Sequence, residues 1–180
     1  TQREYPLNEG ETLLSVTDLK GRIVYANDAF IRVSGFEAAE LYGKAHSIGR
    51  HPDMPAAAFA DMWSTIQRGL PWSALVKNRR KNGDHYWVRA NVTPIMEGGR
   101  PRGYLSVRTK PRPDEIEAAE ALYARMRAEA DAGQETLRLR GGELRRLGLA
   151  GLWDRRGDLG LTARMALMLG GVGLAAMLPD

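Results

Sequence analysis

Two asparagines on neighbouring stretches of the chain could bind a planar, polar ligand. Asn78 and Asn91 flank the turn Asn82-Gly83-Asp84 and fall at the level of a prospective core. A buried amide must find partners for both its donor and its acceptor groups. A bound heterocycle that presents carbonyl and N–H groups in one plane would supply those partners. The sequence therefore predicts a binding site for such a heterocycle beside this turn.

A β-hairpin must position these amides, because Asn-Gly between two runs of alternating character is a strong hairpin signal. Side chains two residues apart in a strand share a face of the sheet. One face of the first arm carries Trp72, Ala74, Val76 and Asn78. In the second arm, one face carries Tyr86, Val88 and Ala90, and the other carries His85, Trp87, Arg89 and Asn91. At most one of Tyr86 and Trp87 can therefore line the same pocket.

The rest of the first 110 residues supplies a sheet and short helices around this hairpin. Asn27-Asp28 is a good N-cap pair, and Gly35 is the stop signal of the helix that follows. The other predicted elements are strands at Thr12 to Thr17, Ile23 to Ala26 and Gly103 to Thr109, and helices at Glu37 to Tyr42 and Ala56 to Gly69. Five strands, with the helices between the second and third, predict an α+β fold with an antiparallel sheet.

A polar loop runs from Lys44 to Pro55, and Arg50, His51 and Asp53 project from it. Two prolines and a glycine keep this loop from forming a regular helix. The histidines and carboxylates of the chain form no spaced metal motif and no acid–base pair. The sequence therefore predicts neither a metal site nor a catalytic residue.

Several of these side chains also have a purely structural interpretation. Asn78 and Asn91 could be edge-strand residues that bind water, the commoner fate of asparagines in strands. Phe59 lies on an apolar helical face and could belong to the core, and Trp72 could plug the end of the sheet. His51 could cap a neighbouring turn. The residue types alone leave these alternatives open.

Composition sets the broad class of the protein. The 180 residues, 43% hydrophobic and 27% charged, suit one globular domain with appendages. The absence of cysteine excludes disulfides and thiolate metal sites and is compatible with a reducing cytosol.

The net charge of +4 hides two basic clusters, which we interpret as solvated surface. One is Lys77, Arg79, Arg80 and Lys81, and the other is Arg138, Arg140, Arg145, Arg146, Arg155 and Arg156. The cluster beside the hairpin turn lacks the context of a recognition helix, so nucleic-acid binding is not predicted.

The C-terminal third changes in character. Glu115 to Ala130 has the pattern of an amphipathic helix, and Leu137 to Asp158 is basic, with leucines that suggest an interfacial helix. Met165 to Leu178 is apolar but shorter than the roughly 20 residues that span a bilayer. The predicted organisation is an N-terminal cap at 1–11, a sensor domain at 12–110, a helical, basic linker at 111–158 and an apolar segment at 159–180 that could be a complete or truncated membrane anchor. The chain begins at Thr1 and shows no secretory signal.

Long strings of residues resemble the PAS sensor of bacterial aerotaxis receptors, over about Thr12 to Thr109. They are Arg50-His51-Pro52-Asp53-Met54-Pro55, Ala58-Phe59-Ala60-Asp61-Met62-Trp63, Pro71-Trp72-Ser73, and Val76 through Asn91. The resemblance implies a PAS fold that holds FAD non-covalently and reports electron-transport or oxygen status through the redox state of the flavin. It implies these contacts to the cofactor: Asn27, Arg50, His51, Asp53, Phe59, Trp72, Asn78, Tyr86 and Asn91. An arginine can bind a diphosphate bidentately, and Trp72 can stack on an aromatic ring.

The same resemblance implies a signalling role and excludes one kind of chemistry. It implies a homodimer on the cytoplasmic face of the inner membrane, with chemotaxis signalling proteins or a receptor signalling domain as partners, and no enzymatic activity. Relatives that form a light-driven flavin adduct need a cysteine, which this chain lacks. No long coiled-coil signalling hairpin follows the apolar run. We therefore expect either a truncated receptor or a shorter relative whose output passes to a partner.

Three other functions stay open at this stage. The first is a PAS domain without ligand that serves as a dimerisation module tethered to the membrane. The second is a flavin enzyme, although the sequence has no glycine-rich dinucleotide fingerprint. The third is a haem protein, in which His51 or His85 would have to be the axial ligand.

Overall fold

A five-stranded antiparallel sheet forms the centre of the computed structural model, which describes residues 1–146. The strands are β1 (Leu13–Thr17), β2 (Ile23–Ala26), β3 (Trp72–Arg79), β4 (His85–Glu97) and β5 (Arg100–Thr109). Their order across the sheet is β2-β1-β5-β4-β3, and every neighbouring pair is antiparallel. The predicted α+β class with an antiparallel sheet is therefore confirmed.

The turn between β3 and β4 forms where the sequence predicts it. Gly83 has a φ of 90°, a conformation that glycine adopts without steric cost. Asn82 Oδ1 accepts a hydrogen bond from Asp84 N at 3.0 Å and so closes the turn. The register pairs Asn78 with Tyr86 and Trp72 with Val92, so the predicted sharing of faces is confirmed.

Short helices connect β2 to β3. They are α1 (Asp28–Ser34), α2 (Ala38–Leu41) and α3 (Ala56–Ile66), with a single 3₁₀ turn at His46–Gly49. Asn27 caps α1 by accepting from Phe30 N at 3.0 Å, and Gly35 ends it in the left-handed conformation with a φ of 73°. Phe30, Val33 and Leu41 are buried in the core.

A fourth helix, α4 (Pro113–Asp131), follows β5 and packs on the outer face of the sheet, the face opposite to α3. The Tyr123 hydroxyl donates to the Leu75 carbonyl oxygen at 2.7 Å, and its ring stacks on Trp87 with centroids 6.4 Å apart. The predicted amphipathic helix at Glu115 to Ala130 is therefore present, with a buried stripe that includes Ala119 and Met126.

Two expectations from the sequence are wrong in the described residues. The segment predicted as an interfacial helix begins instead with a two-stranded hairpin, β6 (Leu137–Arg140) and β7 (Glu143–Arg146). Lys77, assigned to a solvated basic cluster, is only 2% exposed, because its strand position faces α4.

The rest of the predicted linker and the apolar run at Met165 to Leu178 lie outside the described residues. Within residues 1–146, no helix is long and apolar enough to cross a membrane. The predicted domain boundary at residue 110 falls between β5 and α4. The proposed N-terminal cap lies beside β4, where Tyr5 N donates to the His85 carbonyl oxygen at 2.7 Å.

Candidate functional site

A cavity of about 370 Å³ lies between the inner face of the sheet and the helical segment that contains α3. The sheet supplies one wall from β3, β4 and β5, and α3 together with the 3₁₀ turn supplies the other. The lining residues are Thr17, Lys20, Gly21, Ala45, His46, Ser47, Arg50, Phe59, Met62, Trp63, Ile66, Trp72, Val76, Asn78, Ala90, Val92, Tyr104, Ser106 and Arg108.

The helical wall of the cavity is apolar and aromatic. Phe59, Met62, Trp63 and Ile66 reach it because their spacing of three and four residues places them on one face of α3. Trp63 meets Tyr104 of the opposite wall edge to face, with ring centroids 5.7 Å apart at 83°. Such walls suit a flat aromatic ligand.

A buried arginine lies at the polar end of the cavity. Arg108, 3% exposed, donates from Nη2 to Ser15 Oγ at 3.0 Å and contacts His46 Nε2 at 2.5 Å. Its Nη1 atom is buried without a hydrogen-bond partner, and within residues 1–146 no carboxylate forms an ion pair with it. Burial lowers the pKa of Arg108 to about 10, so the guanidinium is charged at neutral pH.

His46 is the neutral partner of this arginine. Burial, assisted by the charge of Arg108, lowers the pKa of His46 to about 3. A neutral imidazole can accept a hydrogen bond at Nε2, which is the atom that Arg108 contacts. The Arg108 guanidinium also lies 4.9 Å from the centroid of the Phe30 ring. A buried cation with only neutral partners favours an electron-rich ligand group beside it.

Four of the predicted site residues line the cavity: Arg50, Phe59, Trp72 and Asn78. The Arg50 guanidinium stacks over the Phe59 ring, 3.6 Å from its centroid. Trp72 is 2% exposed and donates from Nε1 to Asp61 Oδ2 at 2.8 Å. Asn78 is buried, and no described residue hydrogen-bonds its side-chain amide, which leaves that amide available to a ligand.

Two of the other predicted residues, Asn27 and Tyr86, are not part of the cavity lining. The Asn27 amide is engaged, since its Oδ1 accepts from Leu14 N and Phe30 N and its Nδ2 donates to the Thr12 carbonyl oxygen, all at 3.0 Å. Tyr86 is fully buried as the cross-strand neighbour of Asn78, and burial raises its pKa to about 12.

The remaining three predicted residues lie away from the cavity. Asn91 is on the outer face, where its Oδ1 accepts from Ser73 Oγ at 2.8 Å. His51 Nδ1 accepts from Asp53 N at 3.1 Å, which is the turn-capping role that the sequence also allowed. Asp53 pairs with the buried Lys77 at 2.7 Å, and that hydrogen bond lowers the pKa of the Asp53 carboxyl. These positions give no direct route to a ligand in the cavity.

His46 and Arg108 line the cavity but are not among the residues predicted from the sequence. A signal for Arg108 was available, because strict alternation along β5 places Tyr104, Ser106 and Arg108 on one face. A charged residue in phase with buried neighbours is a candidate for a ligand contact. His46 carried no such signal, since it lies in an irregular loop.

Comparisons with known proteins agree with this fold. Residues 23–108 match the PAS fold family. The chain is 50% identical to the aerotaxis receptor of Escherichia coli K12 over 151 residues, which cover 84% of this chain and 29% of the receptor. It is 29% identical over 99 residues to the nitrogen fixation regulatory protein of Klebsiella oxytoca, covering 55% of this chain and 19% of that protein.

Solved structures support the same architecture. The dark structure of the blue-light photoreceptor Aureochrome1 LOV superposes with a TM-score of 0.54 at 20% identity, covering 66% of this chain and 86% of that one. The fold and the cavity between sheet and helices thus define a PAS domain. The chain belongs to the PAS sensors of the aerotaxis receptor family and spans 29% of the length of the Escherichia coli receptor that it matches.

Proposed function

We propose that the cavity binds FAD and that the chain is a redox sensor for aerotaxis. The observation that carries this proposal is Arg108, a buried cation whose Nη1 has no partner among the described residues and which lines an aromatic cavity. The similarity to an aerotaxis receptor supports the same conclusion. When bound, FAD would supply reversible electron acceptance, which no side chain of this protein offers.

The residues at the cavity fit the parts of this cofactor. Trp63 and Trp72 offer flat apolar surfaces for the ring system, and the Asn78 amide offers a donor and an acceptor for its polar edge. Arg50 and Lys20 are exposed residues of the lining and can bind the diphosphate. His51, Asp53, Asn27, Tyr86 and Asn91 would act at most by supporting these residues, since they lie outside the lining.

Arg108 would make the protein sensitive to the number of electrons on the bound flavin ring. A positive charge in an apolar cavity stabilises added negative charge more strongly than it would in water. Arg108 therefore favours the more electron-rich state of a ring held beside it. His46 stays neutral at physiological pH and keeps the guanidinium directed by accepting from Nη2. The resulting difference in contacts would shift the protein between two conformations.

The geometry gives haem less support than flavin. His51 caps a turn outside the cavity lining, and His85 lies on the outer face of the sheet. His46 does line the cavity, but its Nε2 is bonded to Arg108. An axial ligand would therefore require rearrangement of the site.

The biological setting is part of the same proposal. We infer that the sensor acts as a homodimer at the cytoplasmic face of the inner membrane and passes its signal to chemotaxis proteins or to a receptor signalling domain. The similarity to an aerotaxis receptor supports this assignment. We propose a sensor without enzymatic activity, which the similarity to a receptor also supports.

An absorption spectrum of the purified protein, followed by heat release and identification of the chromophore, tests the proposal. We expect the visible bands of an oxidised flavin and free FAD in the supernatant. A colourless protein that stays folded and takes up no added FAD would instead indicate an interaction module without ligand. Haem bands would overturn the choice of cofactor.

A further inference from the structure

Asp61 of α3 joins the cavity wall to the hairpin formed by β6 and β7. Its carboxylate accepts from the indole Nε1 of Trp72 at 2.8 Å, on the side of the cavity. The same carboxylate accepts from two backbone N–H groups at the tip of the hairpin, Gly141 N at 2.9 Å and Gly142 N at 2.7 Å. One side chain thus holds three donors from two parts of the chain about 70 residues apart.

The fit of the hairpin tip against the sheet is close as well as polar. Gly142 has a φ of 88°, and a Cβ at this position would overlap the carbonyl oxygen of Ser73, the residue after Trp72. Only glycine can therefore occupy this position without moving the hairpin. The tip is fixed both by Asp61 and by direct contact with the beginning of β3.

The other end of the hairpin is held independently of the cavity. Glu129, near the end of α4, accepts from Thr136 N at 2.8 Å and from Leu137 N at 3.2 Å. Leu137 and Leu139 are buried, so one face of β6 packs against the domain. Among the described residues, Asp61 is therefore the one that hydrogen-bonds both the hairpin tip and a residue of the cavity lining.

We propose that Asp61 is a positioning residue that transmits changes at Trp72 to the hairpin tip. We call the contacts among Asp61, Trp72, Gly141 and Gly142 the Asp61 link. When the Trp72 indole shifts, its N–H withdraws from Oδ2, the atom that also accepts from Gly142 N. The carboxylate then loses the donor that fixes its orientation, and the tip is held less firmly. That the shift comes from the flavin rests on the function proposed above, whereas the link itself does not.

Hydrogen exchange of the Gly141 and Gly142 amides in the full chain tests the link. Trp72→Phe removes the indole donor and retains an aromatic ring, and Asp61→Asn replaces one carboxylate oxygen by a donor. Both variants should speed exchange of these amides, Asp61→Asn by about tenfold or more, since a hydrogen bond to a charged group is lost. Trp63→Phe is the matched control, because it makes the same change in the same cavity without a bond to Asp61.

The outcomes separate the parts of the proposal. Faster exchange in Trp72→Phe and Asp61→Asn, with Trp63→Phe unchanged, supports the link. Unchanged exchange in Asp61→Asn overturns the role of Asp61 at the tip. Faster exchange in Asp61→Asn alone, or equally in both tryptophan variants, overturns transmission from Trp72. All of these measurements can be made without cofactor, so a protein that binds no FAD would disprove the proposed function and leave the link intact.

A reciprocal measurement distinguishes transmission from simple support. Coupling between two sites is equal in both directions, so a ligand that alters the tip must bind differently when the tip is displaced. Gly142→Ala, which displaces the tip and changes no lining residue of the cavity, should change the Kd for FAD by several-fold. Gly133→Ala, a second glycine with positive φ and open space around its Cβ, is the control. An identical Kd in Gly142→Ala, with a circular dichroism spectrum like that of the control, would show that the tip and the cavity are independent.

Discussion

Each face of the sheet buries a cation, but the two cations differ in their partners. On the outer face, Lys77 binds the carboxylates of Asp53 at 2.7 Å and Glu120 at 3.2 Å. On the inner face, the Arg108 guanidinium has only Ser15 and His46 as hydrogen-bond partners within residues 1–146, and none of these residues bonds its Nη1. Burial of a charge is costly unless the charge is paired. The outer face thus holds a completed structural contact, and the inner face holds a contact that a ligand would complete.

This difference separates structural ionisable residues from functional ones. Asp53 contacts both His51 and Lys77, so these three residues satisfy one another between the loop, β3 and α4. Arg127 adds a hydrogen bond to the Asp53 carbonyl oxygen. Such a group can hold the loop in place, and with it Arg50 at the cavity. A loss of cofactor on mutation of His51 or Asp53 would then arise indirectly, through the position of the loop.

The largest expected effect follows from removal of the unpaired cation. Arg108→Met should weaken FAD binding by roughly tenfold to a hundredfold, because a hydrogen bond to a charged group contributes about 1.5–3 kcal/mol. The ligand-free protein should be no less stable, since a buried charge without an anionic partner is removed. Flavin fluorescence titration measures the Kd, and urea unfolding measures the stability. An unchanged Kd would show that Arg108 does not contact the ligand, so that neither buried cation has a role in binding.

The free energy of unfolding should depend on pH through His46, the neutral partner of Arg108 on the inner face. The pKa of His46 is lowered to about 3 in the folded protein from an ordinary value of 6.5. The unfolded chain then binds the proton more readily, so the associated stability is complete above pH 6.5 and is lost as the pH falls towards 3. The slope can reach about 1.4 kcal/mol per pH unit.

Urea unfolding of the ligand-free protein across that range measures this effect. His46→Gln retains an acceptor for Arg108 but does not titrate, so its profile should be flatter between these limits. Profiles that are parallel for the two proteins would show that His46 does not contribute to the pH dependence.

The smallest expected effect comes from the paired cation. Lys77→Met should lower the free energy of unfolding by only about 1 kcal/mol, because the side chains of Asp53 and Glu120, 38% and 60% exposed, can regain water. The Kd for FAD should change by less than about twofold if Arg50 keeps its position. Urea unfolding and fluorescence titration of Lys77→Met beside Arg108→Met make the comparison direct. A larger loss of affinity in Lys77→Met would show that the outer face also controls the ligand.

Sequence reasoning located the parts of this molecule that depend on local signals. The Asn-Gly turn, the Asn27 cap and the end of α1 at Gly35 depend on a few adjacent residues. The same local periodicity placed Trp72 and Asn78 on one face of β3, and both line the cavity. It could not show how the buried cations are paired, because the partners of Lys77 and Arg108 come from distant segments.

The hairpin of β6 and β7 has a local sequence signal, but the composition of the longer segment points to a helix. Leu137-Arg138-Leu139-Arg140 alternates strictly, and Gly141-Gly142 follows it, which together are typical of a hairpin. The basic composition of the longer segment favoured an interfacial helix instead. The predicted role of Asn91 has no such structural counterpart. The alternation places Asn91 on the face of Trp87, whereas its predicted ligand contact rests on its amide group and on the family resemblance, and stays a prediction.

The close packing of Gly142 against Ser73 also protects a vulnerable part of the sheet. β3 is an edge strand, and the backbone of an uncovered edge can pair with a strand of another molecule. Near its other end, Arg50 bridges to Asn78, and Lys77 N donates to Met54 Sδ at 3.3 Å. The loop and the hairpin tip therefore cover this edge from both ends. Loosening the tip would expose part of the β3 edge. The packing of the hairpin tip against Ser73 therefore also reduces the tendency of the protein to aggregate through this edge.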